Sequence, residues 1–188
     1  MRILSVPILL CLWLVPSAAH ADPQAIFSTG GGGVVEFDHV SSDGCVHTHG
    51  QIFLGQVWNS GSAPLTSLAT TGLRELRCTT GLVYPFYGSG PPDATTLAGL
   101  AFIHGRGHIH AGNDRGDPPF DMEVDLSWFG RGPVTRTGNV DSGDGWLSFV
   151  LDEARAALTA GTLSVDGTPA TLLPGARLLR RSNGQLQR

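Results

Sequence analysis

The sequence predicts an all-β fold, an antiparallel β-sandwich or barrel of short strands with at most one short helix. Three observations carry this. Phe120, Met122, Val124, Leu126 and Trp128 alternate with Asp121, Glu123, Asp125 and Ser127, the period-2 pattern of a strand with one face in a core and the other in water. Turn signals recur at spacings near ten residues along the chain. The 26 Gly and 12 Pro disfavour long helices and supply those turns.

The elements follow in chain order. Residues 1–21, MRILSVPILLCLWLVPSAAHA, read as a secretory signal peptide: one Arg, an apolar run from Ile3 to Val15, then small residues. Ala19-His20-Ala21 fits the A-x-A rule and places cleavage before Asp22, whereas cleavage after Ala19 would leave His20 amino-terminal. The apolar run is shorter than the roughly 20 residues a spanning helix needs, so the expected product is exported, monomeric and without a membrane span. Residues 22–182 form a single domain and 183–188 a flexible tail. Gly30 to Gly33 are expected to be a turn or a disordered lead-in. Val34 to Val40 reads as a half-buried strand with Val35, Phe37 and His39 on one face.

Cys45 to Asn59 gives the next strand or hairpin, with Ile52, Leu54 and Trp58 available to the core. Leu65 to Leu73 is ambiguous, and Leu73 to Tyr84 reads as a strand carrying Cys78. Pro85 to Asp93, PFYGSGPPD, reads as a surface loop. Ala94 to His110 is apolar and Ala111 to Pro119 a polar loop. After the alternating strand, Val134 to Ser142 is weakly patterned and Trp146 to Leu151 apolar. Glu153 to Thr159 is the one stretch where a helix competes. Gly161 to Val165 looks like a strand entering a turn at Asp166-Gly167, and Leu178-Leu179 a last short strand.

Composition limits the functional classes. The chain has no Lys and a net charge of −4, which argues against nucleic-acid binding by phosphate neutralisation. Once Cys11 leaves with the signal peptide, Cys45 and Cys78 remain as a pair in an oxidising compartment and are expected to form a disulfide. Closing a loop of about 33 residues is worth roughly 3–4 kcal/mol in the chain-entropy model.

Phe120 to Arg136, FDMEVDLSWFGRGPVTR, resembles a group of small exported bacterial β-proteins whose late strand reads roughly D-V-x-V-D-L-x-W-x-G-x-G-P. FDHVSSDGCVHTH, Phe37 to His49, is similar to their amino-terminal Cys segment. The resemblance implies an exported β fold and brings no catalytic residues with it.

The candidate chemistry rests on a few side chains. His47-x-His49 and His108-x-His110 each set two imidazoles on one strand face, a spacing that suits Cu(II) or Zn(II). Two such pairs facing each other would make a metal site, with His104 on the parity of the second. The plain alternative is surface histidine. An amino-terminal His20 would chelate copper as in the secreted copper monooxygenases. Asn113, Asp114, Asp117 and Asp121 suggest calcium ligands, or simply turn residues. Asp121, Glu123 and Asp125 invite comparison with paired glycosidase acids, or with a solvated strand face. Phe86 and Tyr87, in a Pro/Gly-rich loop, are candidate stacking residues for a ligand. No G-x-S-x-G elbow is present. The functional reading is therefore an exported binding or structural protein, leaning away from an enzyme. A Cu/Zn-binding protein and a polysaccharide-active or carbohydrate-binding module are the alternatives. The partner is a small molecule, a glycan or a protein.

Overall fold

The structure is a computed structural model that describes residues 24–187; the signal-peptide reading lies outside them. Its strands are β1 (Gln24–Val40), β2 (Val46–Asn59), β3 (Leu65–Leu76), β4 (Leu82–Gly90), β5 (Ala94–Ala98), β6 (Phe102–Gly112), β7 (Phe120–Gly143), β8 (Trp146–Val165), β9 (Thr168–Pro169), β10 (Thr171–Leu172) and β11 (Arg177–Gln187). There is no helix among the described residues. β1, β2, β3, β4, β6, β7, β8 and β11 pair antiparallel in that order, and β11 pairs back onto β1. The sheet therefore closes on itself as an up-and-down barrel. Closure removes sheet edges along the barrel wall, which an open sandwich would leave at its margins.

Two slots in the wall are filled by short strands. β4 meets β6 only at Tyr87 and Gly88, and β5 takes up the rest of that edge of β6. β9 and β10 likewise bridge β8 and β1 above the start of β11.

Side chains line the interior in cross-strand rows. Phe37, Gly50, Gly72 and Phe86 form one row by direct pairing, and Val35, Ile52 and Thr70 the next. The two glycines make room for the rings, because a Cβ at Gly50 would lie 3.0 Å from Phe37 and one at Gly72 2.7 Å from Phe86. Phe86 meets Phe120 edge to face at 4.9 Å. Trp128 is fully buried, as its parity predicts, and its indole lies over Gly33.

Several local expectations change for reasons the pairing makes plain. Gly30 to Gly33 are mid-strand, paired to β2 on one side and β11 on the other. At Gly31, Gly32 and Gly33 the neighbouring backbone and Trp128 come too close for a side chain. Cys78 lies in the turn after β3, where it bonds Cys45 at the adjacent β1–β2 turn and ties two neighbouring loops. Residues 85–90 belong to β4, and Pro85 is tolerated because β4 is unpaired towards β6 there. Residues 153–159 are strand, and 183–187 pair with both β1 and β8 rather than fraying.

β7, β8, β11 and the start of β1 run well past the barrel as a four-stranded apron. A register shift between Arg131 and Thr135 marks where β7 leaves the wall. On the inner face of the apron Phe27 and Phe149 pack 6.3 Å apart over Gly184. At its base the buried Glu153 carboxylate accepts from Arg136 Nε at 2.7 Å and from Arg180 Nε at 2.5 Å. Arg136, then Arg180, hold that carboxyl below the usual carboxylate range.

The glycine run makes a sharp contrast testable. A Cβ at Gly33 would sit 2.5 Å from the Trp128 indole, whereas one at Gly30 would make an ordinary 3.6 Å contact with Val57. Gly33→Ala is expected to cost about 1–3 kcal/mol by overpacking and Gly30→Ala less than about 0.5 kcal/mol. Urea unfolding of the oxidised protein reads both, and equal losses would contradict the packing described.

Candidate functional site

The four histidines lie on the outer wall. On β2 the inward residues are Thr48, Gly50 and Ile52, so His47 and His49 point out; on β6 Ile109 and Ala111 are inward, so His108 and His110 point out. β3 and β4 stand between these strands, which parts the pairs by about three strand spacings of 4.8 Å. Each imidazole instead meets a local carboxylate. His47 Nε2 and Asp38 are 2.6 Å apart, with Arg77 Nη2 at 2.6 Å from His47 Nδ1. His49 lies 3.6 Å from the same Asp38, His110 pairs with Asp121 at 2.8 Å, and His108 lies 3.9 Å from Asp93. Among the described residues no group of three or more His, Cys, Asp or Glu converges as a metal site would require. Both pairs point outward as strand alternation implies, and the two strands between them keep the pairs from facing each other.

The acidic loop is likewise occupied by its own contacts. Asn113 Nδ2 donates to Pro85 O and to Asp117, while its Oδ1 accepts from the amides of Arg115 and Asp117. Tyr87 O–H donates to Asp114, and Asp121 faces His110 on the outer wall. Phe86 corrects the stacking expectation: it is a core residue at 1 % exposure. Tyr87, on the opposite face of β4, is 51 % exposed. Alternation within a strand gives the two rings opposite fates, where a loop would have exposed both.

A buried polar row closes the loop-bearing end of the barrel. His39, Thr48, Arg74 and Tyr84 are direct cross-strand neighbours and all point inward. Arg74 donates to Asp166 at 2.9 Å and stacks its guanidinium 4.1 Å above Phe120. Asp166, at φ 49°, also accepts from the Asp121 amide. Tyr84 O–H donates to Pro118 O. The ring nitrogens of His39, the Thr48 hydroxyl and Nε and Nη1 of Arg74 are buried without a protein partner. Burial, then the Arg74 charge, pushes the His39 pKa below its usual 6.5, against the opposing pull of Asp166 and Asp38. The period-2 pattern groups His39 with Val35 and Phe37, whereas Arg74, in the stretch Leu73 to Tyr84 that reads as a strand, carries no sequence sign of pointing inward.

The outer wall carries a groove of about 330 Å³ along β1. Gly30 and Gly32 of β1 and Gly55 of β2 lie on the outward parity, with Gly32 directly opposite Gly55. Without side chains there, the backbone is the floor. Phe53, Val57 and Leu65 wall one side and Leu179 the other, with Arg181 at the rim. These large apolar side chains are all exposed, and they surround one strip instead of being scattered singly. Four consecutive glycines are the sequence signal for this feature, though without their strand partners they read as a break.

A scan against protein-family models, a search of curated proteins and a search of solved structures each found no match.

The depressed His39 pKa fixes a sign. Below about pH 6.5 the unfolded chain binds a proton that the folded state resists, so the contribution of neutral His39 to stability is lost as pH falls through that range. His39→Leu is expected to leave stability at pH 7 unchanged or higher, since both unpartnered nitrogens go, and to flatten part of the decline below pH 6.5. Parallel pH profiles for the two proteins would contradict this.

Proposed function

We propose that this chain is an exported binding protein that takes an extended apolar ligand, such as an acyl chain, along the outer wall of the barrel. The observation that carries this reading is the glycine-floored groove along β1. An extended chain lies flat on backbone without clash, and the surrounding apolar side chains exclude water from it. Export is supported by the leader-like amino terminus and by the Cys45–Cys78 disulfide, which fits an oxidising compartment. Among the described residues no helix is long and apolar enough to cross a membrane. The barrel core is filled by its own side chains, which supports a binding surface on the outside. The reading is binding rather than catalysis.

Gly30 provides the test. A Cβ built there meets only Val57 and the Gln56 carbonyl, at 3.6 and 3.7 Å, so the position accepts a side chain and a larger residue is directed into the groove. Titration of the oxidised protein with dodecanoate, followed by displacement of an environment-sensitive dye, is expected to be saturable. Gly30→Leu is expected to weaken binding at least about tenfold, or 1.4 kcal/mol, with the unfolding midpoint unchanged. Absence of saturable binding, or equal binding by Gly30→Leu, would remove the proposal.

A further inference from the structure

The apron has two lateral edges that end differently. On the β1 side, the Phe27 amide donates to Ser60 Oγ and the Ser60 amide to the Phe27 carbonyl, so this edge is capped at Phe27 by the β2–β3 turn and only the first three residues of β1 run past it. On the β7 side, pairing with β6 stops at Phe129 while pairing with β8 continues to Gly143. Among the described residues no strand lies beyond Val134–Gly143 on that side. Residues 134–143, VTRTGNVDSG, are thus a free edge about ten residues long. Long free edges of monomeric proteins are guarded by Pro, Lys, bulges or inward charges. Here Pro133 and the register shift lie at the base, and beyond them the only charged residues are Arg136 and Asp141.

We infer that this chain forms a two-fold dimer by antiparallel pairing of β7 with β7 of a second copy. The edge is self-compatible. Centred on Gly138, a two-fold register sets Arg136 against Val140 and Thr135 against Asp141. Centred on Asn139, it sets Arg136 against Ser142 and Thr137 against Asp141. Neither opposes like charges, and both keep apolar inner-face residues on one side of the joined sheet. Val140 belongs to that face and is 67 % exposed in the single chain. The joined sheet gives the unpaired backbone groups of the edge their partners and sets Val140 beside the aliphatic stem of Arg136 from the second copy. The dimer leaves the groove on β1 free, so it stands or falls independently of ligand binding.

The test is sedimentation of the oxidised protein over a concentration series, beside Val140→Lys. In either register the introduced ammonium falls directly opposite or diagonal to Arg136 of the other copy, on the same sheet face. The wild type is expected to approach twice the monomer mass and Val140→Lys to remain at the monomer mass, with the same circular dichroism and unfolding midpoint. The double variant Thr137→Cys/Asn139→Cys supplies a second reading, since it sets two thiols directly opposite in either register, 137 against 139 or 139 against 139, close enough for a disulfide, and a covalent dimer should form in air. A wild type that stays monomeric at every concentration overturns the inference. So does a Val140→Lys protein that still dimerises, or a Thr137→Cys/Asn139→Cys protein that forms no covalent dimer.

Discussion

The contact between Trp128 and Gly33 is the constraint on which the rest of the barrel depends. Trp128 is the largest fully buried side chain, and it lies where β1 must complete the ring by pairing with both β2 and β11. Any side chain at Gly33 would push into the indole, and Gly32 is pressed equally close to the β2 backbone. Closure over a large aromatic core residue therefore demands the smallest residues on the closing strand. On the outer face Gly32, pressed against the β2 backbone, and Gly30, which has room for a side chain, leave backbone bare. One stretch of four glycines thus seals the core on one side and opens the groove on the other.

The two ends of the barrel are built on different chemistry. At the loop-bearing end the core terminates in the row His39, Thr48, Arg74 and Tyr84, and the disulfide clamps the loops over it. Buried polar atoms without partners are expensive, so this end is held together by the surrounding packing, with Asp166 and the Phe120 ring anchoring Arg74. At the other end Glu153 draws Arg136 and Arg180 together on three adjacent strands. That triad stands where hydrophobic interior gives way to the apron, and it fixes the relative positions of β7, β8 and β11 as they leave the wall.

What was legible in the sequence was whatever a single strand encodes by itself. The alternation of 120–128 and of 34–39, the inward His39 and Trp128, and the pairing of the two cysteines all read correctly. Features fixed by a distant partner did not. The glycine run looks like a break unless Trp128, nearly a hundred residues away, is known to lie on it. Phe86 and Tyr87 look equivalent until the segment is known to be a strand. The tail at 183–187 is polar and reads as frayed, yet it is held on both sides by β1 and β8. The histidine pairs show the limit most clearly: their outward parity is local, but whether two pairs face each other depends on strand order, and two intervening strands decide it.

The most direct measurement is a double-mutant cycle between Gly33→Ala and Trp128→Leu, read by urea unfolding of the oxidised protein. If Trp128 is what forbids a side chain at position 33, the cost of Gly33→Ala will largely vanish in the Trp128→Leu background, a coupling on the order of 1–3 kcal/mol. Additive losses would show that the glycine run answers to something other than the core it covers, and the account of closure and groove together would fail.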